Sequence, residues 1–159
     1  KEVTMEINNI REIINEQLIN LNLKASTKKE AIEELTADLY REGNVINPKK
    51  FIADVYYREE EGQTGLGNHI AIPHGKSDAV KITSIAFGRT VKDLKWESPD
   101  GEPVHVIILF AVRNVDKTTV HLKLLSQVAM ALADDDTLNR LLETNDKTEI
   151  IQLLSQEMK

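Results

Sequence analysis

Three observations predict an α/β layered domain with a central mixed β-sheet flanked by helices on both faces. Segments of strand period interleave with segments of helical period along the 159 residues. One run, Pro103 to Val112, is almost unbroken apolar sequence, the mark of a strand buried on both faces. The composition is that of a soluble globular chain, with 41% hydrophobic residues, or about 45% with glycine counted. A chain of this length buries roughly two-thirds of its unfolded surface, so one domain over residues 1–159 needs no disulfide or structural metal to hold its core.

Taken in order, Gln17 to Leu23 alternates at its C-terminal end like a half-buried strand. Ser26 or Thr27 then caps a helix, because Glu30 stands three residues after Thr27 as in a capping box. Ala31, Leu35 and Leu39 carry its apolar stripe, and Gly43 stops it. Pro48 opens a second helix with Phe51, Ile52, Val55 and Tyr56 on one face, fraying near Arg58 to Glu61. Gly62 to Asn68 reads as turns, followed by a short strand, His69 to Ile72, that Pro73 ends. Lys81 to Thr90 is rich in β-branched residues and reads as a strand, Glu97 to Gly101 as a turn, and Pro103 to Val112 as the buried strand. Asp116 or Thr118 caps a helix carrying Val120, Leu124, Val128 and Leu132, and two shorter helices follow, Leu138 to Leu142 and Lys147 to Met158.

Composition also excludes classes of function. Without cysteine there is no thiolate chemistry, no Cys-rich zinc site and no disulfide scaffold, which is compatible with a reducing compartment. The longest apolar stretch around position 108 is Val106 to Val112, far short of the ~20 residues of a bilayer span. No direct membrane insertion is expected. The N-terminus, Lys1-Glu2-Val3-Thr4, lacks the pattern of a signal peptide and also lacks an initiator Met, which suggests a piece of a longer chain. A balance of 26 Asp and Glu against 20 Lys and Arg argues against nucleic acid and for partners with basic surfaces.

His74 draws attention because Pro73 fixes the backbone before it, Gly75 permits an unusual φ after it, a strand ends there, and a glycine-rich loop lies just upstream. Residues at the C-terminal ends of strands in such sheets line ligand sites. The residues alone leave two readings open, an active-site imidazole and a histidine that closes a turn. Metal binding is not expected: His69 and His74 lie five apart on a strand and point to opposite faces, and no His-x-x-x-His falls on a helix. Gly75-Lys76-Ser77 mimics the end of a phosphate-binding loop, yet Ile70 stands where the first glycine is required. Gly65-x-Gly67-x-x-Ile70 misses the third glycine of a dinucleotide fingerprint, and there is no Gly-x-Ser-x-Gly elbow. His105, inside the buried strand, reads as a satisfied structural histidine. His121 sits in the first turn of a helix, where N–H groups favour an anion. Arg58 heads a run whose three carboxylates, Glu59 to Glu61, read as a solvated face.

Arg58-Glu59, Thr64-Gly65-Leu66-Gly67 and Ile70-Ala71-Ile72-Pro73-His74-Gly75-Lys76 together resemble the signature of the IIA domains of the bacterial sugar phosphotransferase system, fructose/mannitol class, including its nitrogen-regulatory members. Glu102 to Val106 and His121-Leu122-x-Leu124-Leu125 extend the resemblance across nearly the whole chain. It implies that His74 accepts a phosphoryl group from the phosphocarrier protein HPr and passes it to a cysteine of a IIB domain, feeding a IIC membrane component through IIB. The sugar implied is of fructose type. The resemblance further implies His121 as the second active-site histidine, Arg58 as the site's cation, and Thr64 in the loop that lines the site and binds the substrate. It implies a cytoplasmic location, with no metal, cofactor or nucleotide.

Phosphoryl transfer needs an in-line approach, a neutral attacking nitrogen and cationic or N–H partners for the equatorial oxygens. Under the resemblance His74 attacks through Nε2, and Leu66, Ile70 and Ile72 are candidates for an apolar rim if exposed. His69 departs from the family pattern and adds a titratable group near the site. An alternative of a different class uses the same histidine in a regulatory module whose phosphorylation switches protein–protein binding.

Overall fold

The computed structural model describes residues 9–116 and 118–156. The chain divides into two compact units, one of Gln17–Val115 and one formed by Lys1–Glu16 with Asp116–Lys159. The described residues hold five α-helices and a mixed six-stranded sheet, the α/β class the sequence predicts.

In the unit Gln17–Val115 the strands are β1 (Ile19–Leu23), β2 (Gly65–Gly67), β3 (Ile70–Ala71), β4 (His74–Ser77), β5 (Ser84–Leu94) and β6 (Val104–Arg113). They run in the order β1-β5-β6-β3-β2, with β4 also paired to β6. β5 and β6 are antiparallel, whereas β1 runs parallel to β5, and β3 and β4 run parallel to β6. β6 has partners on both edges, and Val106 to Val112 are fully buried. That accounts for its unbroken apolar sequence, since neither side chain row meets water.

Two helices belong to this unit. In α1 (Lys28–Arg41) the Thr27 hydroxyl accepts from the Glu30 N–H at 3.1 Å, as a cap should. The Glu30 carboxylate reaches one residue further back than a standard capping box, accepting from the Ser26 N–H at 2.9 Å and its hydroxyl at 2.8 Å. Gly43, at φ +80°, ends the helix in a backbone conformation side chains disfavour. In α2 (Pro48–Glu61), Asn47 caps and Pro48 supplies the first turn. The helix ends at Glu61, within the range Arg58 to Glu61 where its end is expected, and Gly62 caps it. Leu23, Leu35, Leu39, Phe51, Val55, Ala86 and Leu109 join in one core.

The segment around His74 differs from expectation in an informative way. The sequence predicts a strand that ends at Pro73, with His74 at its C-terminal end. Instead His74 opens β4, and β3 and β4 pair with β6 in one register, Ile70 with Val106 and His74 with Phe110. Pro73 has no N–H and the Ile72 N–H turns aside to the Thr64 carbonyl at 3.0 Å, so two rungs are missing. The Phe110 N–H then reaches the Pro73 carbonyl at 3.0 Å and the strand resumes. Within the expected turn, Gly65 to Gly67 form a short strand antiparallel to β3. β5 begins later and ends later than the predicted strand, Lys81 to Thr90.

In the other unit a 3-10 turn, Ile10–Glu12, accompanies α3 (Thr118–Leu132), α4 (Asp135–Glu143) and α5 (Lys147–Leu154). The Ile10 N–H donates to the Gln127 side chain at 2.9 Å and Arg11 donates to the Ser155 hydroxyl at 3.2 Å. Leu124 and Val128 are buried as the helical period requires. Asp134 and Asp146 cap α4 and α5, and Arg140 binds Glu149 through both Nε and Nη2, at 2.9 and 2.6 Å. α4 is longer than predicted. α5 ends at Leu154; Met158, the expected end, lies outside the described residues. Among the described residues no helix is long and apolar enough to cross a membrane.

Candidate functional site

His74 enters the sheet at the first rung of β4, and its ring is nearly enclosed, with 8% of the residue exposed. Its Nδ1 lies 3.1 Å from the Ile72 carbonyl oxygen. A carbonyl only accepts, so Nδ1 carries the hydrogen and, in the neutral ring, the lone pair sits on Nε2. Burial pushes the imidazole below its ordinary pKa; the bond to Ile72 opposes this, the Arg58 guanidinium reinforces it, and the carboxylates of Glu59 and Glu61 oppose it weakly. The outcome is a neutral ring with a defined tautomer near pH 7.

Gly75 serves this placement differently from the expectation. Its φ is not in the left-handed region. What requires glycine is the approach of α2: a Cβ would lie 2.8 Å from Val55 Cγ2 and 3.0 Å from Phe51 Cε1. The same helix delivers Arg58 at its C-terminal end, where Nη1 donates to the Gly62 carbonyl at 3.1 Å and the half-buried guanidinium adds its charge beside His74.

The three carboxylates after Arg58 do not all form a solvated face. The Glu59 side chain is 6% exposed and pairs with Lys28 Nζ at 3.2 Å. The Thr64 hydroxyl donates to its Oε1 at 2.5 Å and accepts from Trp96 Nε1 at 3.3 Å. Thr64 is thus buried, with its hydroxyl engaged by protein groups rather than turned outward. Lys28 also reaches Glu97 at 3.3 Å and stands 4.9 Å from the centre of the Trp96 ring. Sequence reading missed Lys28 and Trp96 because neither lies in a motif, and the run Arg-Glu-Glu-Glu gives no sign of which carboxylate is inward.

Of the apolar rim candidates only Leu66 is largely exposed; Ile70 is buried and Ile72 half-buried. The loop ahead of β3 is left-handed at Asn68 (φ 55°) and His69 (φ 70°), and the Asp100 carboxylate holds it by accepting from the Asn68 N–H at 2.9 Å. His69 is therefore not on a strand with His74. It donates through Nδ1 to the Pro103 carbonyl at 2.9 Å and stacks on His105 with ring centres 5.0 Å apart. His105 Nδ1 lies 3.3 Å from Asp93 but outside hydrogen-bond geometry, so the expected satisfied histidine has an electrostatic partner and an aromatic one. His121 lies in α3 of the other unit, in its first turn as predicted, and is half-buried there. Among the described residues no group of three or more His, Cys, Asp or Glu side chains is arranged to hold a metal ion.

Residues 12–157 match the family described as "Phosphoenolpyruvate-dependent sugar phosphotransferase system, EIIA 2", and the chain belongs to that family. It is 33% identical over 147 residues to the 2-O-alpha-mannosyl-D-glycerate-specific EIIABC component of Escherichia coli, covering 92% of this chain and 22% of that protein. The chain therefore spans about a fifth of the length of that relative. Among solved structures, the nitrogen regulatory protein IIA-Ntr of Neisseria meningitidis superposes with a TM-score of 0.84 at 32% identity, covering 92% of this chain and 99% of that one. The complex of enzyme IIA mannitol with phosphorylated enzyme IIB mannitol from Escherichia coli superposes with a TM-score of 0.74 at 28% identity, covering 89% of this chain and 96% of that one.

Proposed function

We propose that this chain is a cytoplasmic phosphocarrier that accepts a phosphoryl group from phospho-HPr on His74 and hands it to a cysteine of a IIB domain, which feeds a IIC membrane component. The sugar is of the fructose type. The observation that carries the reading is the bond from His74 Nδ1–H to the Ile72 carbonyl, which leaves Nε2 with the lone pair that an incoming phosphorus needs. In the transfer, the Nε2–P bond forms as the donor's N–P bond breaks, and the donor imidazole keeps the electron pair it had shared with phosphorus. The proton on Nδ1 stays in place. Arg58 meets the charge of the transferred group. The solved pairing of a similar IIA with a phosphorylated IIB supports the partner.

Incubation with enzyme I, HPr and phosphoenolpyruvate is expected to add one acid-labile phosphoryl group to the intact mass. His74→Ala is expected to abolish it while the circular dichroism spectrum is retained. Labelling of His74→Ala at the normal level would overturn the assignment. Onward transfer to fructose-type and mannitol-type IIB domains, compared side by side, tests the sugar.

A second reading is favoured by the similarity to a nitrogen regulatory protein. In it, His74 phosphorylation switches a protein–protein contact. Phosphorylation-dependent capture of a partner, with no transfer to any IIB cysteine, would favour this reading over transport.

A further inference from the structure

We propose that Lys28, Glu59 and Trp96 are positioning residues for His74, acting through Thr64 and the Ile72 peptide to fix which imidazole nitrogen attacks. The inference rests on the phosphocarrier reading above. The Ile72 peptide lies in the two-residue gap between β3 and β4, where β6 does not pair with it. Its orientation is set instead from the other side, by the Ile72 N–H donating to the Thr64 carbonyl at 3.0 Å. The Ile72 N–H and carbonyl lie on consecutive peptide units joined at its Cα, and Pro73 confines the ψ between them to the extended range, so the acceptor that His74 Nδ1–H meets at 3.1 Å follows the backbone around Thr64.

Thr64 is held in turn by its side chain. Its hydroxyl is clamped between the Glu59 carboxylate and the Trp96 indole N–H, at 2.5 and 3.3 Å. A carboxylate only 6% exposed is costly unless its charge is met, and Lys28 from the neighbouring helix meets it at 3.2 Å while lying against the Trp96 ring. The chain of contacts therefore runs from α1 through the end of α2 and the Thr64 loop to the imidazole. Apart from the Lys28–Trp96 ring contact, the side chains and backbone segments of this chain are joined by directional hydrogen bonds or an ion pair, which transmit orientation as apolar packing does not.

The test is imidazole 15N NMR of the unphosphorylated full chain, together with the rate of phosphoryl acceptance from phospho-HPr, for wild type, Glu59→Gln, Trp96→Phe and Lys50→Gln. The wild-type spectrum is expected to show His74 with the hydrogen on Nδ1. Glu59→Gln and Trp96→Phe are expected to give a mixture of tautomers and a kcat about tenfold lower, with KM for phospho-HPr unchanged. Lys50→Gln, in an exposed pair with Asp54 on α2, is expected to match wild type in both. A wild-type ring carrying its hydrogen on Nε2 would overturn the inference, whatever the variants do. So would wild-type spectra and rates in both Glu59→Gln and Trp96→Phe. If wild type accepts no phosphoryl group at all, the phosphocarrier reading fails, and the NMR spectra of wild type and variants still decide the positioning chain separately.

Discussion

His74 donates through Nδ1 to the carbonyl of Ile72, two residues back along its own chain, at 3.1 Å. So short a loop makes the tautomer depend directly on where the Ile72 carbonyl is held, and burial keeps the ring below its ordinary pKa. The rate of phosphoryl acceptance is therefore expected to stay flat as pH falls from 8 and to decline only when Nε2 becomes protonated. The midpoint should lie below about 6.5, the value of an unperturbed histidine. A pH–rate profile under single-turnover conditions checks this, and a midpoint above that value would contradict the assignment.

Gly75→Ala is expected to destabilise the protein by about 1–3 kcal/mol, the usual cost of overpacking a filled core. The added carbon would press on Val55 and Phe51 of α2. Urea denaturation should show a lower midpoint with an unchanged slope. Because α2 also bears Arg58, the variant should accept phosphoryl groups more slowly even where it is fully folded.

Arg58→Ala is expected to slow acceptance by on the order of a hundredfold, the loss seen when one donor to developing charge is removed. Its Nη1 bond to the Gly62 carbonyl closes the C-terminal turn of α2 at the surface, so stability should change little. Arg58→Lys restores charge but not the planar fork, and intermediate rates are expected of it. Rapid-quench measurements of labelled protein separate the three.

His74 and His105 both titrate below their ordinary value, His105 through burial first and then the charge of stacked His69, with Asp93 opposing. The unfolded chain binds protons on these rings at a higher pH than the folded one does. Their contribution to stability is thus fully present above about 6.5 and is lost as pH falls through the folded-state values. The midpoint of urea denaturation should fall between pH 7 and pH 5, and His105→Gln should flatten that slope.

The parts of the fold legible in the sequence were those set by neighbours in the chain. Thr27 and Asn47–Pro48 mark helix starts because capping is a local exchange of hydrogen bonds, and β6 announces itself because burial on both faces leaves no polar position. The IIA motif was legible for the same reason, as contiguous residues around His74. What stayed hidden depends on partners distant in sequence. Glu59 looks like its neighbours Glu60 and Glu61 until Lys28 and Thr64 close on it. Gly75 suggests an unusual φ until α2 is seen against β4. His69 and His105 read as separate histidines, and only the parallel pairing of β3 with β6 sets one ring on the other.

β3 and β4 share one alignment on β6 across Ile72 and Pro73. Those two residues therefore act as a ruler. Side chains alternate between the faces of a strand, so one residue inserted or deleted there would slide β4 by a single step and exchange the faces of His74 and Gly75. The imidazole would then sit where α2 leaves no room for even a methyl group, and the glycine would sit where the imidazole now lies. Spacing in the Ile-Pro-His segment is thus constrained as tightly as the histidine itself, and length variation along this edge of the sheet must fall outside Ala71 to Gly75.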